Sequence, residues 1–295
     1  MSEDAEPILP LDLERVVFEC AATLHRTSIP VCMLVAARVK EWLEPILYRV
    51  LFCSDTPTVD QHVGISGLRI IPLKTLLRLI GDKPPKFFQK AVRYLFLVNG
   101  DDSDVDSILE ACNHVTDLFA YFDPTPYACT LSALQHLRRL AIALPSLLER
   151  FPLGEDMPSV FGRLTHLELM DTDLNRDVRD LSKRLPLMPN LTHLALNLFS
   201  HDTTLYDTLR LQTTLECIVI LVQTPVETTD THPLAGDARF VCIHQSKSYR
   251  LDWLCGALTG NDYWALADAF IAARRARKVD ALHYIISNEA EPRMA

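Results

Sequence analysis

The sequence lacks several features that mark common classes of enzyme. Glycine occurs only nine times in 295 residues, and there is no Gly-rich phosphate loop, Gly-x-Ser-x-Gly elbow or His-Glu-x-x-His helix. The eight cysteines include no Cys-x-x-Cys pair, so neither a zinc ribbon nor a disulfide framework is predicted. We therefore expect a protein without catalytic residues, cofactor or bound metal, in a reducing compartment such as the cytoplasm or nucleus.

Two further absences limit the expected partners. No apolar run approaches the roughly 18 residues that span a bilayer, and no secretion signal is visible at the acidic start of the chain, so we expect no membrane association. The net charge of −9 argues against nucleic acid as a partner, because binding phosphates requires a basic surface. Other proteins are the expected partners.

The sequence does contain a repeated short segment. "RLTHLELM" at 163–170 recurs 27 residues later as "NLTHLALN" at 190–197. Both belong to a series of seven segments, the last of them weak, that follow the template apolar-x-x-apolar-x-apolar. Alternation within each segment predicts a β-strand with its leucines on one face. The template positions are Val92, Leu95, Leu97; Val115, Leu118, Ala120; Leu137, Leu140, Ile142; Leu164, Leu167, Leu169; Leu191, Leu194, Leu196; Leu215, Ile218, Ile220; and Ala238, Val241, Ile243.

Stretches with helical spacing lie between these strands. A strand and a helix repeated every twenty-odd residues predict an α/β fold in which a parallel sheet packs on a helical layer. The segments resemble leucine-rich repeats of the long, helix-bearing sort, over about residues 90–245. The Asn or Cys that such repeats place after the strand is absent, which predicts irregular turns. The two clearest helical stripes are Val105, Ile108, Leu109, Cys112 and Leu174, Val178, Leu181, Leu185.

Two amphipathic helices are predicted before the repeats. In "LPLDLERVVFECAATL" (9–24), Pro10 suits a first helical turn, and apolar residues recur from Leu13 to Leu24 with helical spacing. A second helix is predicted to open near Ser28 and Pro30, with apolar positions at helical spacing from Val31 to Leu47. Two helices in about forty residues are too small for a self-sufficient core, so we expect their remaining face to be buried against something else.

This start resembles an F-box, and more narrowly the F-box-like leucine-rich-repeat proteins that are abundant in mushroom-forming fungi. "LPLDLERVVFE" matches the opening of that family, "MLVAARVKEW" stands where its Val-x-Arg-x-Trp helix lies, and "LEPILYRVLF" matches the exit of the fungal group. In that family the F-box binds the Skp linker subunit of a Skp/cullin/RING ubiquitin ligase, and the repeats hold the substrate. Carried over, the resemblance implies that the linker's apolar groove receives Leu9, Pro10, Leu13, Val17, Leu34, Val35 and Trp42.

The predicted organisation has four parts: an F-box-like helical segment (8–48), a connecting strand and helices (49–91), a degenerate leucine-rich-repeat solenoid (92–245) and a C-terminal helical cap with a tail (246–295). The leading hypothesis is a non-catalytic substrate-recognition subunit of a ubiquitin ligase that binds an unknown protein target. The alternative is a ligase-independent interaction scaffold, in which the first helices merely cap the solenoid.

The strand residues between the leucines form the other face of the predicted sheet. Aromatic side chains on an exposed face are frequent anchors for a partner protein. An equally weighted alternative is that a loop or the F-box linker covers this face. The candidate partner surface consists of Tyr94, Phe96, Asp117, Phe119, Arg139, His166, Glu168 and His193.

Two histidines of this face allow a third hypothesis. His166 and His193 with Glu168 make a nominal metal set, such as a metal-dependent hydrolase would use. No further ligand is spaced to complete that site. We therefore prefer solvated positions on the sheet surface for these histidines.

Overall fold

The structure, a computed structural model, describes residues 9–55, 70–98, 102–121, 128–143, 159–170, 177–197, 203–223, 232–246 and 248–288. Within these residues the fold is α/β, with helices around a ten-stranded, all-parallel sheet. The strands are β1 Val50–Ser54, β2 Ile70–Ile71, β3 Tyr94–Val98, β4 Asp117–Tyr121, β5 Arg139–Ala143, β6 His166–Met170, β7 His193–Leu196, β8 Cys217–Val222, β9 Phe240–His244 and β10 Ile285–Ser287.

The helices alternate with the strands along most of the chain. Two short 3-10 helices, Arg26–Ser28 and Leu185–Leu187, accompany them. None of the helices that the structure describes is long and apolar enough to cross a membrane. The α-helices are α1 Leu11–Leu24, α2 Ile29–Cys32, α3 Ala37–Leu47, α4 Leu73–Asp82, α5 Phe87–Ala91, α6 Asp102–Ala111, α7 Ala128–Ala133, α8 Asp177–Arg184, α9 Thr203–Leu211, α10 Tyr249–Thr259 and α11 Tyr263–Arg275.

The order of the strands in the sheet follows the order of the chain almost throughout. From β3 to β10 each strand pairs with its successor, while β1 lies between β3 and the edge strand β2. The seven segments predicted from the repeat are confirmed as the strands β3 to β9. Strand β10 was not predicted, because its three residues carry no repeat pattern.

The repeat keeps a constant register across six strands and loses it at the seventh. From β3 to β8, equivalent template positions lie side by side. At β9 the pairing shifts by one residue, so that Ile218 lies opposite Phe240. The assignment of Val241 and Ile243 to the leucine face was therefore wrong. The residues from Phe240 to Ile243 are all apolar, so both faces of β9 carry apolar side chains. Because a one-residue shift exchanges the two faces of a strand, the sequence pattern could not decide which face of β9 joins the leucine face.

The leucine face of the sheet forms the main core with the helices that follow the strands. Leu95, Leu167 and Leu194 are fully buried there. Removing each such side chain from water contributes roughly 1.5–3 kcal/mol. Of the predicted helical stripes, the first is entirely buried, and so are Leu181 and Leu185 of the second. Leu174 and the side chain of Val178 lie outside the described residues.

The opposite face of the sheet is covered by the C-terminal helices. Helix α11 packs Trp264, Ala267 and Ile271 against β7, β8 and β9. Helix α10 packs Tyr249 and Trp253 against the cluster formed by β1 and by β3 to β6. The predicted C-terminal helix is present, but the expectation that it closes the end of the sheet was wrong, since it lies across the face. The reason is that the outward residues of these strands are also apolar and require cover.

The N-terminal helices form a small separate core. Ala22, Ile29, Val39 and Leu43 are its buried members. The single second helix that the sequence predicted is instead two helices, α2 and α3. Ala36 adopts an extended backbone (φ −159°, ψ 155°) directly before α3, which interrupts the helical path over the preceding turn.

Helix α3 is also joined to the rest of the fold. The Lys83 ammonium donates to the Glu44 carboxylate at 2.7 Å, and the Tyr48 ring contacts Phe87 and Phe88 edge-on at 5.5 and 5.4 Å. The N-terminal helices thus bury one side against each other and against α5, as the small size of the segment required.

Gly256 is needed where α10 and α11 approach each other. A Cβ at Gly256 would lie 2.6 Å from Oδ2 and 2.8 Å from Cβ of Asp262, whose side chain caps α11 by accepting from the Ala265 N–H. We expect Gly256→Ala to lower the free energy of unfolding by at least about 1 kcal/mol, measured by chemical denaturation. The matched control Gly81→Ala meets nothing within 4 Å in α4 and should be neutral or stabilising by up to about 1 kcal/mol. Equal effects of the two changes would contradict this account.

Candidate functional site

The eight residues of the candidate partner surface do come together on one face of the sheet, on neighbouring strands. Their expected exposure was wrong. Phe96 and Phe119 are 0% and 1% exposed, and Asp117, Glu168 and His193 are buried as well. Tyr94, Arg139 and His166 are half-buried. The face is covered, but the predicted cover, a loop or the F-box linker, was wrong, because α10 and α11 pack against it.

The aromatic residues of this face are used inside the protein. The rings of Phe52, Phe96 and Phe119 stack in a row, with centroids 4.0 and 4.1 Å apart. Tyr249 continues the row on Phe119 at 5.6 Å, and Trp253 contacts Phe96 edge-on at 5.2 Å. These contacts hold α10 against the sheet, so the anchors that suggested a partner bind the chain's own helix.

The polar residues of the face pair with the same two helices. Three hydrogen bonds cross the interface, each at 2.9 Å. The Trp253 indole N–H donates to Asp117, the Tyr263 hydroxyl donates to Glu168, and the Arg139 guanidinium donates to Asp262. The sheet and the C-terminal helices are therefore joined by matched polar groups, which specify a single docking position.

Burial changes the protonation of two of these carboxyl groups. Desolvation raises the pKa of Asp117 to about 6, although the Trp253 hydrogen bond and the Arg139 charge act in the opposite direction. Desolvation also raises the pKa of Glu168 to about 7, against the Tyr263 hydrogen bond and with help from nearby carboxylates. Both groups line a small cavity between the sheet and the helices. A carboxyl group that titrates near neutrality makes the docking of α10 and α11 sensitive to pH.

The Thr-His step of the repeated "LTHL" has a defined geometry. Thr192 Oγ1 lies 3.1 Å from the Thr165 carbonyl oxygen and 2.7 Å from Nδ1 of His193. A hydroxyl has one proton, so the tautomer of the histidine decides which of the two atoms receives it. Thr165 and His166 repeat this arrangement. Each threonine thereby orients the ring of the histidine that follows it.

The threonines form a feature that sequence reasoning missed. Thr116 occupies the same template position as the other two and donates to the Arg93 carbonyl at 3.1 Å. The hydroxyls thus bond from strand to strand beside the backbone ladder. The sequence signal is a threonine at the same template position in three segments, directly before Asp117, His166 and His193.

The nominal metal set of His166, His193 and Glu168 does not assemble. Glu168 accepts from Tyr263 instead. The two imidazole rings stack at 4.0 Å, and burial, with His193 and Arg139 nearby, lowers the pKa of His166 to about 2. His193 converges with residues that the sequence did not suggest: in the described part of the chain, one group of metal-ligand side chains comes together, namely His193, Cys217 and Asp268.

The N-terminal helices carry the second candidate site. Of the thirteen large apolar side chains that are exposed in the described part of the chain, nine lie between residues 9 and 35. Six of the seven residues predicted to bind a linker are exposed, whereas Trp42 is half-buried against the small core. The nine side chains, defined here as the N-terminal apolar surface, are Leu9, Leu11, Leu13, Val16, Val17, Leu24, Val31, Leu34 and Val35.

Comparison with known proteins yields no match to any family model, curated protein or solved structure. The function must therefore be inferred from the chain's own residues and geometry.

The raised pKa of Glu168 makes a testable contribution to stability. Because the folded protein holds this proton up to about pH 7 while the unfolded chain loses it near 4.5, the contribution is complete below pH 4.5 and is lost as pH rises through 7. Glu168→Gln keeps an acceptor for Tyr263 and removes the titration. We expect its stability relative to wild type to rise between pH 4.5 and 8, by about 1–3 kcal/mol, in denaturation at several pH values.

The matched control for this measurement is Glu110→Gln, which changes an exposed glutamate of α6. Its difference from wild type should stay flat over the same pH range. A flat difference for Glu168→Gln as well would show that burial does not raise the pKa of Glu168.

Proposed function

We propose that this chain is a non-catalytic adaptor of the F-box leucine-rich-repeat type. In this proposal the N-terminal helices bind the Skp-type linker subunit of a cullin ubiquitin ligase, and the α/β part binds a protein target. The observation that carries the proposal is the N-terminal apolar surface.

Nine exposed large apolar side chains within one segment are unusual for a chain that buries both faces of its sheet. In α1, Phe18 and Ala22 point to the small core, while Leu13, Val17 and Leu24 are 50–77% exposed. Helix α1 is thus apolar on two sides and uses only one within the chain. Contiguous exposed apolar residues mark interaction sites, and burying each of these side chains in a partner contributes roughly 1.5–3 kcal/mol.

The fold of the segment brings both predicted linker-binding stretches to one end. The Arg38 guanidinium donates to the Glu14 carboxylate at 2.9 Å, which holds the first turn of α3 against the first turn of α1. The turn that carries Leu34 and Val35 therefore lies at the same end as Leu13. This arrangement supports the resemblance to an F-box, in which both stretches enter one groove.

The sheet supports the leucine-rich-repeat part of the proposal. Strands β3 to β9 follow one another in chain order, and their leucine positions lie under a helical layer. Since α10 and α11 cover the other face, we place target binding at the carboxyl edge of the sheet, where all parallel strands end on the same side.

A ligase-independent scaffold is the second candidate. The contacts of Tyr48 and Lys83 with neighbouring elements attach α3 firmly to the α/β part, as a capping role would require. In that case another protein occupies the N-terminal apolar surface, and the Skp-type linker does not.

Co-expression with a Skp-type linker separates the two candidates. We expect wild-type protein to form a complex, and Leu9→Asp with Leu13→Asp to weaken it at least about 100-fold, because two apolar contacts are lost and two carboxylates would be buried. The matched control is Leu211→Asp with Leu282→Asp, which alters two leucines that are 79% and 70% exposed far from the N-terminal helices. Both variants should keep the wild-type melting temperature.

The ligase proposal fails if folded wild-type protein forms no complex with the linker. It also fails if the control variant loses binding as strongly as Leu9→Asp with Leu13→Asp, because binding would then not depend on the N-terminal apolar surface.

A further inference from the structure

Three side chains of different chemistry converge between the sheet and α11. They are His193 on β7, Cys217 on the neighbouring β8 and Asp268 on α11, and their ligand atoms all lie within 4.8 Å of one another. His193 and Cys217 are buried, at 8% and 0% exposure, whereas 56% of the Asp268 side chain is exposed. The group therefore has a closed side on the sheet and an open side toward solvent.

One short contact already joins two members of the cluster. His193 Nε2 lies 3.1 Å from Oδ1 of Asp268, and Nδ1 of the same ring lies 2.7 Å from the Thr192 hydroxyl. A carboxylate oxygen can only accept, so either a proton on Nε2 or a metal cation lies between Nε2 and Oδ1.

The thiol of Cys217 favours the cation. A proton on Nε2 joins only His193 and Asp268 and leaves the adjacent sulfur to pack among apolar side chains, whereas a metal ion would bond to all three atoms. We propose that His193 Nε2, Cys217 Sγ and one Asp268 carboxylate oxygen bind a zinc-class divalent cation, which joins β7 and β8 to α11.

The donor set fits the preferences of zinc. Zinc takes imidazole nitrogen, thiolate sulfur and carboxylate oxygen at about 2.0–2.3 Å, in tetrahedral geometry. Asp268 is the exposed member, at 56% of its side chain, so its carboxylate has room to move toward a bound ion. Three protein ligands leave the fourth position to water from the open side, and Thr192 supplies the outer hydrogen bond that orients a metal-bound histidine.

The protons balance simply. Burial raises the pKa of the Cys217 thiol well above its ordinary range, so without a metal the sulfur keeps its proton. On binding, the metal–sulfur bond replaces the S–H bond and one proton leaves to solvent. A proton held on His193 Nε2 would leave in the same step, and in a neutral ring a proton from solvent would take its place on Nδ1, next to the Thr192 oxygen. No oxidant or reductant is involved, and the N-terminal helices take no part, so this site is independent of the proposed adaptor function.

Cobalt(II) and zinc titrations of the full chain test the proposal. A Cys20→Ser background removes an exposed thiol that would bind metal on its own. We expect one equivalent of cobalt to produce the visible bands of a tetrahedral site and a thiolate-to-cobalt charge-transfer band, with competition by zinc. Asp268→Asn should weaken zinc binding by more than the roughly 10–100-fold expected for Thr192→Val, and without unfolding, because Asp268 is exposed.

Matched controls separate the site from its surroundings. Cys217→Ser should abolish the charge-transfer band, whereas Cys242→Ser, at a buried cysteine of the next strand that faces the main core, should retain it. His193→Gln should lose binding, and His166→Gln, in the stacked neighbouring ring, should keep it.

Two results would overturn the proposal. One is a cobalt spectrum without thiolate charge transfer in folded Cys20→Ser protein. The other is unchanged zinc affinity in Asp268→Asn, with the exposed Asp207→Asn on α9 as the reference. Either result would mean that a proton, and not a metal ion, lies between His193 Nε2 and Asp268.

Discussion

The structure depends on the need to bury both faces of one parallel sheet. On the leucine face, each strand contributes side chains such as Leu118 and Leu167 to a core that the intervening helices complete. On the other face, Phe96, Val219 and Val241 are as fully buried, and among the described helices it is α10 and α11 that pack against them. The chain covers this face with α10 and α11, which follow the last repeat strand in the sequence.

The cover by α10 and α11 changes which residues of the protein remain exposed. A repeat sheet with one open face would offer that face for binding, whereas here its aromatic and polar residues are paired within the chain. Matched pairs such as Glu168 with Tyr263 supply specificity more than free energy, because each hydrogen bond contributes only about 1 kcal/mol net and the carboxyl group resists burial. Of the thirteen large apolar side chains that are exposed in the described part of the chain, nine lie instead between residues 9 and 35.

The two halves of the protein thus treat apolar surface in opposite ways. In the α/β part even His166 and His193, on the face opposite the leucines, are stacked on each other and oriented by Thr165 and Thr192. In the N-terminal helices a core of four buried residues holds three helices together, while side chains such as Leu34 and Val35 remain in water. Such an arrangement is stable because the segment is attached through Lys83 and Tyr48 to the larger body.

Most local elements of the repeat region could be predicted from the sequence alone. Period-two apolar residues in seven segments predicted seven strands, and the helical spacing of Val105 and Ile108 predicted the buried side of α6, because both patterns depend only on neighbours in the chain. The sequence could not determine the register of Phe240, since apolar residues occupy both faces of β9. It also could not reveal the cover of the sheet: the residue that meets Asp117 lies 136 positions away, at Trp253. Only tertiary packing decides such pairs, because a hydrogen bond between distant segments leaves no periodic trace in either of them.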